Sequence, residues 1–124
     1  MKFIQKTLLG YLLIFIFPLS AQIQNTPITD SLVQQAAIFK KDKQYNSALK
    51  CYLQALKLTT TEDNAYPKIN LELGQLYFDW GMYDKASTYL SQATVQDHTA
   101  ENFKSIKLLA LSYEKNKKYE QAIV

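Results

Sequence analysis

One short pattern occurs three times in the chain: Gln44-Tyr45-Asn46-Ser47-Ala48, Met82-Tyr83-Asp84-Lys85-Ala86 and Lys118-Tyr119-Glu120-Gln121-Ala122. In each, a tyrosine precedes an alanine by three residues, and the tyrosines recur at intervals of 38 and 36 residues. Residues three apart share one face of a helix, and an interval of roughly 34 to 40 residues is the period of a helical-hairpin repeat. The spacing therefore predicts three stacked helical hairpins, with one of these stretches opening the second helix of each.

The composition favours one small helical domain. A length of 124 residues leaves room for no more than that. A hydrophobic content of 48% with 20% charged residues is ordinary for a folded protein. The three glycines and three prolines are too few for a turn-rich β architecture, so long uninterrupted helices are expected.

The charged residues argue against a nucleic-acid partner. All fourteen basic residues are lysine, whereas bidentate recognition of phosphate and base edges prefers the guanidinium group of arginine. The formal charge is +3, and loss of Lys2 and Lys6 with a cleaved leader would lower it to +1. A nearly neutral domain lacks the basic footprint that nucleic-acid binding requires.

The first 21 residues have the order of a secretory signal peptide. Lys2 and Lys6 form a basic start, an apolar run spans 8–17, and small residues lead to Ala21. A membrane span needs about 20 apolar residues, which favours cleavage after Ala21 over an uncleaved anchor. We therefore expect export to the periplasm of a Gram-negative bacterium, with a mature chain that is not itself embedded in a membrane.

The mature chain begins with a polar leader. Residues 22–28 contain Pro27 and are expected to lack regular structure. Thr29 and the two residues after it offer side-chain oxygens to the free amides of a first helix. Apolar residues at three- and four-residue spacing then predict five complete helices and the beginning of a sixth.

Local signals place some helix ends. Pro67 is tolerated only in a first turn, so the third helix is expected to begin between Thr61 and Pro67, with Thr61 as its cap. Gly81 is expected to end that helix in the left-handed conformation. The fifth helix is expected to bury a stripe that includes Phe103 and Ile106.

Two further positions recur with the tyrosines. The residue nine positions before each tyrosine is small, and the residue six positions before it is large and aromatic; they are Ala36, Gly74 and Ala110, and Phe39, Tyr77 and Tyr113. This pattern resembles the tetratricopeptide repeat, a helix-turn-helix unit of about 34 residues. The resemblance implies an all-α fold, an α-solenoid of stacked antiparallel hairpins with repeats at about 29–60, 67–98 and 103–124. The first unit departs from the pattern, since Lys43 stands where the turn glycine is usual.

The third repeat has only part of its second helix. Terminal repeats normally need a polar capping helix, and Ile123 and Val124 would lie uncovered. We expect the chain to be a fragment of a longer protein, with a truncated gene product or completion by a partner as alternatives. The incomplete sixth helix is also expected to offer a surface for association.

The resemblance also implies a binding surface, because tetratricopeptide repeats bind peptides or protein segments on the concave face made by their first helices. The positions carried over are Val33, Ala37, Lys40, Leu71, Gln75, Phe78, Lys107, Leu111 and Glu114. A subset of the family grips a carboxyl terminus with lysine, asparagine and arginine. Only Lys107 would fit that clamp, so binding of a chaperone-tail carboxylate is not expected.

The remaining reactive side chains favour structural roles. His98 is the only histidine, and metal sites and catalytic triads need further ligands or partners. Cys51 is the only cysteine and is expected to be a buried structural thiol. The sequence contains no glycine-rich phosphate loop, metal-ligand spacing or nucleophile motif, so we expect no enzyme activity, no metal and no cofactor.

The sequence thus predicts an exported protein-interaction module. A signal peptide followed directly by such repeats resembles the periplasmic N-terminal part of bacterial membrane receptors, whose output domain is a histidine kinase or a DNA-binding regulator. The alternative is a self-standing periplasmic scaffold for envelope assembly. The two differ in whether the reading frame continues into a span of about 20 apolar residues.

Overall fold

The computed structural model describes residues 26–96 and 102–116, which form five helices and no strand. The helices are α1 (Thr26–Lys41), α2 (Tyr45–Lys57), α3 (Ala65–Asp79), α4 (Tyr83–Gln96) and α5 (Asn102–Lys115). Helices α1 and α2 form one hairpin, α3 and α4 form a second, and α5 packs on the second hairpin. This confirms the predicted all-α solenoid of helical hairpins. The third Tyr-x-x-Ala stretch, at 119–122, lies outside the described residues.

Small residues let the two helices of each hairpin approach closely. Ala36 of α1 and Ala48 of α2 are both fully buried in the first core cluster. In the second hairpin, a Cβ added to Gly74 would lie only 2.4 Å from Leu90 Cγ. Real carbon atoms do not approach so closely, so α3 and α4 need glycine at their contact.

The turns within the two hairpins have the same backbone hydrogen bonds. Gln44 N donates to Phe39 O and Met82 N donates to Tyr77 O, both at 2.8 Å. Both turns reverse at a residue in the left-handed region, with φ of +82° at Gly81 and +58° at Lys43. This is the usual way for a helix to end at glycine, and Gly81 confirms the prediction. Lys43 adopts the same conformation at a steric cost, because its Cβ is crowded there.

Two helix starts differ from the predictions. Helix α1 begins at Thr26, so residues 26–28 are helical and their assignment to an irregular leader was wrong. Pro27 lacks only an amide hydrogen that the first turn leaves unpaired in any case, and proline is common there. Helix α3 begins at Ala65, inside the predicted interval, but no side chain caps it. The predicted cap at Thr61 was therefore wrong.

Two apolar clusters form the core, and α3 contributes to both. The first joins α1, α2 and α3 through seven buried residues: Ala36, Ala48, Tyr52, Ala55, Ile69, Leu73 and Leu76. The second joins α3 and α4, with Leu108 and Leu109 of α5 packed against it, through Leu71, Tyr77, Ala86, Leu90 and Ala93. Burial on both sides explains why α3 is the most apolar of the five helices along its length.

Aromatic rings connect the hairpins. The Trp80 ring, directly after the end of α3, stacks on the ring of Tyr77 with centroids 6.2 Å apart. Its centroid also lies 5.5 Å from that of Tyr45 in the preceding hairpin. Tyr83 makes an edge contact with Phe78 at 5.3 Å. The two described motif tyrosines therefore have different partners: Tyr83 contacts the first helix of its own hairpin, and Tyr45 contacts the next hairpin.

The buried face of α5 is not the predicted one. Phe103 is 73% exposed and Ile106 is 50% exposed, whereas Ser105 and Ser112 are fully buried. The α5 residues that face the second hairpin are Ser105, Leu109 and Ser112. They occupy the positions equivalent to Ile69, Leu73 and Leu76 of α3. The prediction followed hydrophobicity, but packing against the preceding hairpin determines which face of this helix is buried.

Candidate peptide-binding groove

A cavity of about 290 Å³ lies between α1 and α3, the first helices of the two hairpins. Its lining comes from both helices: Thr29, Asp30, Val33, Ala65, Lys68, Ile69, Leu71 and Glu72. We call this set the α1–α3 groove. Its volume is at the lower limit of ligand pockets, so it fits one large side chain of an extended segment better than a whole cofactor.

Of the nine binding positions that the family resemblance predicts, two line this cavity. Val33 is half-buried on α1, and Leu71 is 6% exposed on α3. Leu71 belongs to the second core cluster, so only a small part of its side chain faces the cavity. Ala37, one turn beyond Val33, is exposed.

The next residues along each helix have partners within the protein. Lys40 Nζ lies 2.6 Å from Glu72 Oε2, and Gln75 Nε2 donates to Asp79 Oδ1 at 2.9 Å. Phe78 is half-buried and packs against the second core cluster. Any ligand reaching these residues would have to compete with those contacts.

The three positions on α5 do not line the α1–α3 groove. Lys107 and Glu114 are exposed and Leu111 is half-buried. Their part in a continuous binding surface stays a prediction.

Residues that the sequence reasoning missed complete the groove. Asp30 and Lys68 occupy equivalent positions, each six residues before the small residue of its repeat. They lie one helical turn before Val33 and Leu71, so extending the helical spacing by one turn would have found both. Both are exposed at the cavity, and no ion pair joins either of them to another described residue.

A network that crosses from the first hairpin to the second includes Glu72, which lines the groove. Glu72 accepts a hydrogen bond from Tyr52 OH at 3.2 Å as well as pairing with Lys40. Tyr52 is fully buried. Burial and the nearby Glu72 carboxylate both raise the pKa of Tyr52, so its hydroxyl stays protonated and remains a donor. One carboxylate thus ties α1 and α2 to α3.

The described residues contain no group of three or more side chains suited to a metal ion. Cys51 is half-buried and packs against the first core cluster, while His98 lies outside the described residues. Among the helices at 26–96 and 102–116, none is long and apolar enough to cross a membrane. What these residues do offer is a small cavity whose lining combines four apolar side chains with Thr29 and the charged Asp30, Lys68 and Glu72.

The fold and the groove define a class of protein, the helical-hairpin repeat with a small recess between its first helices. Comparison with known families makes this specific. Residues 29–61 and 67–94 match the family model of the tetratricopeptide repeat, so these two stretches are tetratricopeptide repeats. No curated protein matches the chain. Such repeats are an interaction scaffold for proteins or peptides rather than a catalytic fold.

Proposed function

We propose that this chain is an exported protein-interaction module whose α1–α3 groove binds a segment of a partner protein. The observation that carries the proposal is the cavity between the first helices of two tetratricopeptide repeats. The apolar part of its lining, formed by Val33, Ala65, Ile69 and Leu71, suits one side chain of an extended peptide. Ala37 and the other exposed first-helix positions extend the surface along the peptide.

Export is supported by the sequence of residues 1–21, with its basic start, apolar run and Ala21. Within the envelope, the module would be the N-terminal sensory or interaction part of a longer signalling protein. The support is the order of the segments, since the repeats follow the leader directly. Reading the gene beyond codon 124 tests the signalling part: continuation into an apolar span of about 20 residues is expected, and a stop codon there would count against it.

Site-specific photo-crosslinking tests the binding site. A photoreactive amino acid is placed at Ala37, which is exposed one helical turn beyond Val33 of the groove, or at Val95, which is 74% exposed on α4, in the full-length chain made in bacterial cells. We expect position 37 to yield one dominant adduct that is released with the periplasm, and position 95 to yield none. Equal adducts at both positions, or adducts confined to the cytoplasm, would contradict the proposal.

Cleavage is tested in the same material. Amino-terminal sequencing of the periplasmic chain is expected to begin at Gln22. A chain that retains Met1 and stays with the membrane fraction would show that the leader is an uncleaved anchor.

A further inference from the structure

Helix α2 carries a second recess on a face that takes no part in the α1–α3 groove. A shallow cavity of about 420 Å³, open to solvent, is lined by Asn46, Ser47, Leu49, Lys50 and Leu53. A second shallow cavity, of about 500 Å³, is lined by Lys50, Leu53, Gln54, Leu56, Lys57 and Tyr66. The two adjoin, because Lys50 and Leu53 line both. We call the residues that line these two cavities, taken together, the α2 trough.

The floor of the trough is apolar and already held in place. Leu53 and Leu56 are half-buried and pack against the first core cluster, so their inner sides are fixed while their outer sides face the trough. Tyr66, half-buried at the start of α3, forms the far wall. Partly exposed aliphatic and aromatic side chains gathered in a recess are typical of a protein-docking surface.

The rim of the trough carries charge of one sign. Lys50 and Lys57 are exposed and seven residues apart, so they lie on the same side of α2. Among residues 26–96 and 102–116, no aspartate or glutamate lines either cavity, and neither lysine forms an ion pair with a described residue. An occupant with carboxylates beside an apolar stripe would complement both the floor and the rim.

The length of the trough indicates the form of the occupant. From Asn46 to Lys57 the helix rises by about 16 Å, which matches about three turns of a second helix lying alongside. A helix that docks in such a groove places apolar residues at i, i+3, i+4 and i+7. Carboxylates flanking that stripe about two turns apart would face Lys50 and Lys57.

We propose that the α2 trough binds an acidic amphipathic helix of a partner protein. This site is distinct from the α1–α3 groove and does not depend on the function proposed for it. A module with both surfaces can hold an extended segment on one side and a helix on the other.

The test uses the full-length chain and a fluorescein-labelled 18-residue peptide with leucines at helical anchor positions and glutamates beside them. A matched peptide has glutamine in place of glutamate. Fluorescence anisotropy is measured with wild type, with a Lys50→Glu/Lys57→Glu variant, and with a Lys104→Glu/Lys115→Glu control of the same net charge. Lys104 and Lys115 are exposed on α5 and line neither cavity.

We expect the glutamate peptide to bind, with affinity that falls as salt rises. The glutamine peptide and the Lys50→Glu/Lys57→Glu variant should each bind about tenfold more weakly or worse, and the control should change by less than about twofold. Equal binding of both peptides, equal loss in the control, or no binding at all would overturn the proposal.

Anionic lipid is the other chemistry that a basic and apolar surface could attract. Vesicles of phosphatidylglycerol are therefore tested in parallel. Vesicle binding that needs Lys50 and Lys57, without peptide binding, would overturn the proposal and assign the trough to a membrane surface. A Val33→Glu change in the α1–α3 groove is expected to leave peptide binding to the trough unchanged, which separates this result from that for the groove.

Discussion

Substitution of Gly74 by alanine tests whether the close contact between α3 and α4 organises the second hairpin. The added Cβ would lie 2.4 Å from Leu90 Cγ and 2.5 Å from Leu90 Cδ2, and the Leu90 backbone nitrogen is only 3.3 Å away. Leu90 is fully buried, so its side chain has little room to move. Overpacking of this kind costs about 1–3 kcal/mol, whereas alanine in place of glycine within a helix gains about 1 kcal/mol. We expect a net loss of about 1 kcal/mol.

A double-mutant cycle separates the cost of overpacking against Leu90 from the gain in helix propensity. Leu90→Ala alone is expected to lose about 2–5 kcal/mol through the cavity it leaves. In the Gly74→Ala/Leu90→Ala variant, the new methyl group no longer clashes and fills part of that cavity. The double variant should therefore be at least about 1 kcal/mol more stable than additivity predicts. Urea unfolding followed by circular dichroism at 222 nm measures all four proteins. A stabilising Gly74→Ala change that is additive with Leu90→Ala would refute the close contact.

Three further changes probe other features of the fold. Lys43→Gly should raise the free energy of unfolding by about 1 kcal/mol, because the residue has a φ of +58° and glycine relieves the left-handed strain; an unchanged urea midpoint would contradict that conformation. Ser105→Ala should stabilise the protein by about 1 kcal/mol, because the buried Ser105 Oγ has no hydrogen-bond partner within the described part of the chain. Ser112→Ala is its matched control and should give no gain, because Ser112 Oγ donates to a carbonyl at 2.8 Å. The Tyr52→Phe variant should be less stable to unfolding by about 1–2 kcal/mol near pH 7, because it lacks the hydrogen bond to Glu72. In the folded protein the pKa of Tyr52 is raised above its usual 10.0. The protonated hydroxyl therefore makes its full contribution to folding stability below about pH 10, and this contribution is lost as the pH rises above that value. Wild type should thus lose stability more steeply than Tyr52→Phe in alkaline urea titrations, and parallel curves would be inconsistent with a raised pKa.

The hairpins could be predicted because their signals are local and repeated. Ala36 and Gly74 are at the same distance before a motif tyrosine, and each lies where two helices come closest. Gly81 is in the left-handed conformation that its place after a helix predicts. Lys43 shows the limit of that reasoning, because the chain makes the same turn without glycine when the flanking helices impose it.

The errors arise where packing between hairpins decides the outcome. Phe103 and Ile106 read as core by hydrophobicity but are exposed, while Ser105 is buried, because contact with the preceding hairpin sets the rotation of α5. The Lys40–Glu72 pair is likewise invisible in the sequence, since the two residues are 32 positions apart. Only the relative placement of α1 and α3 brings them together.

The sequence predicted two of the residues that line the groove, but not the size of its cavity. Val33 and Leu71 follow from the repeat register and share the cavity. The size of the cavity depends on how far α1 and α3 separate, and no single residue encodes that distance. Asp30 and Lys68 were accessible to sequence reasoning, since they continue the same helical spacing by one turn.

Binding of a partner segment in the α1–α3 groove is tested most directly by calorimetric titration. The peptide identified by crosslinking at position 37 is titrated into full-length wild type, a Val33→Glu variant and a Val95→Glu control. Both substitutions add the same charge, but only Val33 lines the groove. We expect the dissociation constant to rise at least about tenfold for Val33→Glu, which corresponds to about 1.4 kcal/mol, and to stay unchanged for Val95→Glu. Equal affinity of all three proteins would contradict the assignment of binding to this groove.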